Sequence, residues 1–168
     1  MRRIRQIAVI VAALASGLPG SAIACSMMLR HDNRPADIAR HAREIFQHST
    51  AIIDAEVIMP ENGSHPARLR PIHVLRGPRL PIYLVANDGC GVALLHRGER
   101  VRIILTGGPR TFGATLDDHG FDYADGQSGQ RLLAAVDRLA GAPLPRGFNR
   151  PGTDAPPPQP RRRVTRRR

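Results

Sequence analysis

The stretch Thr50-Ala51-Ile52-Ile53-Asp54-Ala55-Glu56-Val57-Ile58-Met59 decides the fold class of this chain of 168 residues. It is rich in isoleucine and valine, and the turn residues Pro60, Asn62 and Gly63 follow it. Aliphatic β-branched residues favour extended backbone, whereas proline, asparagine and glycine favour turns. We therefore predict a strand over residues 50–59 that ends in a loop, with the side chains of Asp54 and Glu56 pointing outward.

Four further strands are predicted after this one. They are short apolar segments, with glycine or proline near their ends, that cover residues 68–75, 80–86, 99–105 and 111–116. Pro71 has no amide hydrogen, so the second strand is expected to lie at a sheet edge or to contain a bulge. Five short strands at this spacing predict a mainly β fold, either a small barrel or a sandwich.

Two amphipathic helices are predicted on either side of the strands. Residues 34–47 have Pro35 and Asp37 in the first turn and apolar residues on one face. Residues 127–140 carry leucine and valine at helical spacing, and Gly141 follows just past the end. We expect the apolar stripe of each helix to pack in the core.

The N-terminus has the three parts of a secretion signal. A basic start precedes the apolar run of residues 7–14 and the small-x-small sequence Ala22-Ile23-Ala24. We predict a signal peptide over residues 1–24 and an extracytoplasmic protein, periplasmic or secreted, that begins at Cys25. Export favours a disulfide between Cys25 and Cys90, the two cysteines of the chain. The alternative is a lipid on Cys25, which would occupy the sulfur that the disulfide needs.

The largest share of the excess positive charge lies in a proline- and arginine-rich C-terminal segment. The formal net charge is +11, but residues 25–150 hold 16 arginines and 13 acids, a net +3. We predict one folded domain over residues 25–145 and a disordered tail over residues 146–168, because this composition cannot bury apolar area. Clustered arginines attract phosphate, so one prediction is that the tail contacts anionic envelope surfaces through Arg161, Arg162, Arg163, Arg166, Arg167 and Arg168. The alternative is a solvated basic tail with no dedicated partner. No aromatic residue interleaves these arginines, so no specific nucleic acid is expected as a partner.

The sequence contains none of the common catalytic motifs. It has no Gly-x-Ser-x-Gly elbow, no phosphate-binding loop and no His-Glu-x-x-His, so we predict a protein that is not an enzyme and has no cofactor. His41 and His48 lack a third metal ligand. An acidic loop does not match the spacing of a calcium-binding EF-hand and is expected to be a solvated turn; its members are Asp117, Asp118, His119, Asp122 and Asp125. No metal site is predicted.

Four segments of the chain carry a resemblance to a known family. They are Ser49-Thr50-Ala51-Ile52-Ile53-Asp54-Ala55-Glu56-Val57, Ile72-His73-Val74-Leu75-Arg76-Gly77, Cys90-Gly91 and Gly98-Glu99-Arg100-Val101. The pattern resembles the netrin-like domain of the tissue inhibitors of metalloproteinases and their bacterial relatives, over residues 25–116. The resemblance implies a five-stranded OB-type barrel, with the mature N-terminal Cys25 bonded to Cys90 in the middle of the barrel. Family inhibitors begin Cys-x-Cys, whereas this chain has Cys25-Ser26-Met27, and no cysteine follows Cys90.

The same resemblance implies a way of binding a partner. In the family, the α-amine and carbonyl of the first cysteine chelate the catalytic zinc of a metalloprotease and displace its water. Carried over to this chain, Cys25 would be the zinc ligand, and Ser26 and Met27 would enter the protease cleft; the alternative is that Cys25 is only a structural half-cystine. The predicted function is a monomeric, non-enzymatic protein-binding module, inhibitor-like toward a metalloprotease. The alternative is an envelope-associated structural protein or lipoprotein that its Arg-rich tail tethers to anionic surfaces.

Overall fold

The computed structural model describes residues 33–86, 92–115, 117–119 and 126–151. The described elements are, in chain order, α1 (Pro35–His48), β1 (Ala51–Met59), β2 (Ala67–Arg76), β3 (Tyr83–Ala86), β4 (Arg100–Gly107), β5 (Phe112–Gly113), the short 3-10 helix η1 (Asp117–His119) and α2 (Gly126–Leu139). The strands form a closed barrel in the order β1-β2-β3-β5-β4. The predicted mainly β fold is therefore confirmed, and of the two architectures left open by the sequence it is the barrel.

The strands of the barrel pair in both directions. β3 and β5 are parallel, and the other described neighbours are antiparallel. Along the β1–β2 pair, Asp54 lies opposite His73 and Ala55 lies opposite Pro71, so that Ile72 is an extra residue on β2. An extra residue on one strand of a pair is a β-bulge. The bulge predicted from Pro71 is confirmed.

The interior of the barrel is filled by side chains. Successive side chains of a strand point to opposite faces, so that alternate β1 residues from Ala51 to Val57 face inward. The rings of Tyr83 and Phe112, with centroids 5.3 Å apart, pack inside the barrel as well. Leu69, Ile103 and other aliphatic residues of the barrel interior are fully buried.

A second apolar core lies outside the barrel. Ile52 of β1 and Ile104 of β4 are direct cross-strand neighbours and point away from the barrel interior. Both helices cover this pair with buried residues on one face of each helix; they are Ile38, Ala42 and Ile45 on α1, and Leu132, Leu133 and Val136 on α2. The outer face of β1 and β4 is therefore a sheet surface under two helices.

The chain after α2 returns to the barrel. The Asn149 N–H donates to the Arg100 carbonyl at 2.8 Å, and the Arg102 N–H donates to the Asn149 carbonyl at 2.9 Å. This segment lies parallel to β4 beside Val101. The chain thus still contacts β4 at Asn149, which lies after the predicted domain boundary at residue 145. Within the described ranges, no helix combines the length and the apolar character needed to cross a bilayer.

Candidate functional site

Most of the site residues predicted from the sequence lie outside the described part of the chain. These are the two cysteines, the residues next to the first cysteine and the tail arginines, namely Cys25, Ser26, Met27, Cys90, Arg161, Arg162, Arg163, Arg166, Arg167 and Arg168. Their predicted roles stay predictions.

The two histidines of α1 lie in different environments. His41 is buried, whereas His48 is exposed and its ring Nδ1 lies 2.8 Å from the Glu44 carbonyl oxygen. Among the described residues, no group of three or more His, Cys, Asp or Glu side chains is arranged to hold a metal ion.

Asp54 lies at one end of a buried charge network that is centred on Arg102. Its side chain points out of the barrel, as the strand alternation predicts, yet Asp54 is only 1% exposed because the elements that follow β5 cover this face. Glu56, two residues further along β1, is half-buried and pairs with Arg70 at 2.8 Å. The outer face of β1 therefore changes from the apolar Ile52 through the buried charge of Asp54 to the more exposed charge of Glu56.

Arg102, on the neighbouring strand of the barrel, is the ion-pair partner of Asp54. The two residues are direct cross-strand neighbours on β1 and β4. Arg102 Nε donates to Asp54 Oδ1 at 2.6 Å and Nη2 donates to Asp54 Oδ2 at 2.8 Å. This two-bond geometry matches the planar guanidinium to the planar carboxylate, which gives the strongest kind of side-chain ion pair.

The network continues into α2 and the C-terminal segment. Arg102 Nη1 donates to Asp137 Oδ1 at 3.1 Å and to the Ala142 carbonyl at 2.7 Å, and Arg150 Nη2 donates to Asp137 Oδ2. Burial disfavours the charged guanidinium, but the hydrogen bonds that Arg102 donates to Asp54 and Asp137 outweigh the cost of burial and raise the pKa of Arg102. Two arginines and two aspartates thus balance their charges in a buried site.

The end of α2 explains how the network is aligned. Gly141 has a φ of +79°, its N–H donates to the Arg138 carbonyl, and the Ala142 N–H donates to the Asp137 carbonyl. This pair of bonds is the Schellman motif, in which a glycine with positive φ ends a helix. The turn directs the Ala142 carbonyl toward Arg102, while the last turns of α2 supply Asp137.

A cleft of about 750 Å³ opens beside this network. One wall is the bulged part of β2 at residues 71–75, a second is the loop at residues 79–81, and a third is the segment after α2 with Ala142, Pro143 and Pro145. Asp54 and Arg102 also line the cleft. The cleft is mostly aliphatic and proline-lined, with one exposed charged side chain, Arg79, and the exposed imidazole of His73. Such a lining suits binding better than proton transfer, because its buried ion pair is already charge-balanced.

His119 is buried, although the sequence predicts a solvated turn there. It is 3% exposed, and neither ring nitrogen makes a hydrogen bond of normal geometry to a described residue. Burial lowers the pKa of His119 to about 4, the positive charge of Arg150 acts in the same direction, and the backbone of Ile104 opposes both. The prediction of a solvated turn is wrong for His119, because the described chain covers this ring.

Sequence reasoning missed the pairing of Asp54 with Arg102 and the further pairs that Asp137 makes with Arg102 and Arg150. The available signal was local: an aspartate in a strand of isoleucine and valine, and an arginine between Val101 and Ile103, are poor choices for an exposed or a purely apolar strand. The local pattern cannot predict that α2 contacts these strands, since Asp137 of α2 lies far along the chain from Asp54 and Arg102.

Comparison of this chain with family models, with curated proteins and with solved structures finds no match. The resemblance to the netrin-like domain therefore remains a prediction from the residues that carry it.

Proposed function

We propose that this protein is an exported, non-enzymatic protein-binding module with a netrin-like barrel of the OB type. The closed five-stranded barrel, in which β3 pairs with the non-consecutive β5, supports the OB type. The barrel interior is filled by side chains, so recognition has to use the outer surface and the chain ends.

The observation that carries this proposal is how the barrel holds both sides of Cys90. Before it, Ala86 at the end of β3 pairs with Gly113. After it, Val92 is buried in the barrel core and its N–H donates to the Ala114 carbonyl at 2.8 Å. A disulfide from Cys25 to Cys90 would therefore attach the new N-terminus between Ala86 and Val92, which are both bonded to the segment around β5.

That attachment supplies what zinc chelation needs. A cysteine α-amine with a pKa of about 7.7–8.0 loses its proton near neutral pH and then has a lone pair for a metal. A disulfide would hold the amine and carbonyl of Cys25 in a fixed position, which lowers the entropy lost on binding. Ser26 and Met27 would follow them into the protease cleft.

The covalent part of the proposal is tested by the intact mass of the exported protein. We expect an N-terminus at Cys25 and a mass two hydrogens below that of the reduced chain. A diacylglyceryl increment on Cys25, or two free thiols in native material, would contradict it.

The inhibitory part is tested on zinc metalloprotease catalytic domains with two matched proteins. One begins at Cys25, and the other carries a single additional alanine before it. We expect only the first to inhibit, because the additional residue moves the α-amine away from the zinc. Equal inhibition by both proteins, or by neither, would rule out chelation by Cys25.

A second candidate function is anchorage to an anionic envelope surface. It is favoured by the position of Pro151, which is buried, follows shortly after the β4-bonded Asn149 and precedes the part of the tail that contains the arginine triplets. Deletion of residues 152–168 should abolish salt-dependent sedimentation of the protein with anionic phospholipid vesicles. Unchanged sedimentation would dismiss the tail as the anchor.

A further inference from the structure

The cleft beside the charge network contains an open strand edge. β2 spans Ala67–Arg76, but β3 pairs with it only from Ala67 to Leu69. From residue 71 to residue 76, no described strand pairs with the edge of β2 that faces away from β1. An unpaired edge presents a row of backbone donors and acceptors that an added strand can use.

The walls of the cleft favour an apolar segment over that edge. Ile72, displaced by the bulge, is 39% exposed, and half-buried Leu75 and Leu80 line the same cleft. Pro143 and Pro145 form the opposite wall. Side chains that alternate along an added strand would find aliphatic surface on this side.

The exposed charge of the cleft indicates which charge a partner should carry. The acid in the lining is Asp54, which is buried and paired with Arg102. Arg79 is exposed and forms no ion pair with any described residue, and the side chain of His73 is 65% exposed. The accessible charge is therefore positive, which complements an acidic partner.

From these three observations we propose that the cleft binds an extended acidic segment of a protein partner, which adds as a strand to the free edge of β2. The site consists of residues 71–76, residues 79–81 and the segment after α2. It goes beyond the proposed zinc chelation, since it uses none of the residues assigned to that function. Either proposal stands if the other fails.

The test is a titration of the full-length protein, labelled with ¹⁵N, with three heptapeptides. The acidic probe alternates valine and glutamate between terminal threonines, the basic probe has lysine in place of glutamate, and the third is the acidic probe with N-methylated valines. We expect millimolar acidic peptide to shift the amide signals of residues 72–76 and 79–80. The N-methylated peptide should not, because it lacks the amide hydrogens that strand pairing uses.

Charge reversal of an arginine that lines the cleft is compared with charge reversal of an exposed arginine outside it. Arg79→Glu should lower the affinity for the acidic peptide about fivefold, which is equivalent to about 1 kcal/mol for an exposed ion pair. The same substitution should raise the affinity for the basic peptide. Arg97→Glu, at an exposed position that does not line the cleft, should leave both affinities unchanged.

Several results would overturn the proposal. These are the absence of shifts in the cleft with millimolar acidic peptide, equal binding of the N-methylated peptide, and equal effects of Arg79→Glu and Arg97→Glu. Shifts of the same residues by a thymidine oligonucleotide in place of the acidic peptide would overturn it as well, because they would assign the cleft to a nucleic acid.

Discussion

Replacing Arg102 by methionine should destabilise this protein more than the replacement of an arginine whose side chain is exposed. The Arg102 side chain is 1% exposed, and each of its nitrogens donates a hydrogen bond to Asp54, Asp137 or the Ala142 carbonyl. Methionine fills a similar volume and is unbranched, so that loss of the charge and its hydrogen bonds dominates the effect.

The magnitude follows from what the substitution leaves behind. The Asp54 side chain is 2% exposed and would keep only His73, whose Nδ1 lies 3.7 Å away, whereas Asp137 would still have Arg150. Breaking a buried ion pair by removing one partner costs about 3–5 kcal/mol. Because a domain of this size is stable by about 5–15 kcal/mol, Arg102→Met should remove a large share of its stability.

The double variant Asp54→Val/Arg102→Met separates an orphaned charge from lost packing. It removes both partners and places a β-branched residue beside Ile52, so we expect it to lie within about 2 kcal/mol of the wild type and above the single variant. Urea unfolding followed by far-ultraviolet circular dichroism gives the three free energies. A single variant that costs less than about 1 kcal/mol, or a double variant less stable than the single one, would refute the reasoning.

Three further predictions concern single positions in the described chain. The pKa of His119 is lowered to about 4 from an ordinary value of 6.5, so the unfolded chain binds a proton between these values that the folded chain does not. Stability should therefore fall by about 3 kcal/mol more in the wild type than in His119→Gln as the pH falls from 7 to 4, and equal losses would contradict this. Gly77→Ala should be far more destabilising in urea unfolding than Gly98→Ala, because both have positive φ but an added Cβ at Gly77 would lie 2.3 Å from the Thr50 carbonyl. Leu132→Ala should cost about 2–5 kcal/mol and the exposed Leu139→Ala below about 1 kcal/mol by the same assay; equal costs would place the core elsewhere.

The strands that the sequence predicts best are those with a long run of β-branched residues and a turn at the end. The sequence predicts β1 over residues 50–59, and it spans Ala51–Met59; it predicts β2 over residues 68–75, which spans Ala67–Arg76. β5 is far shorter than the expected 111–116, because Phe112 and Gly113 pair with β3 and β4 over only two positions. β3 begins at Tyr83 in place of residue 80, since the loop with Pro81 precedes its pairing with β2.

The candidate site was less predictable for a physical reason. Alternation along β1 correctly directs Asp54 out of the barrel, but it does not say which later segment covers that face. The cover comes from Asp137 and Ala142, whose position depends on the turn at Gly141 and on packing of α2 against Ile52 and Ile104. Periodicity reports the face of an element, whereas the partner of a buried charge is set by tertiary packing.

The charge network has a role that an apolar cluster would not fill equally well. Apolar contacts are not directional, so Ile52 and Ile104 hold α2 against the barrel without fixing its rotation or its slide along the strands. Hydrogen bonds from one guanidinium to Asp54 on β1, Asp137 on α2 and the Ala142 carbonyl do fix both. The first of these lies on the strand that pairs with the bulged wall of the cleft, and the last belongs to the segment that forms the opposite wall. The width of the cleft is thus set by Arg102, which ties the stability of the fold to the shape of the surface we propose for binding.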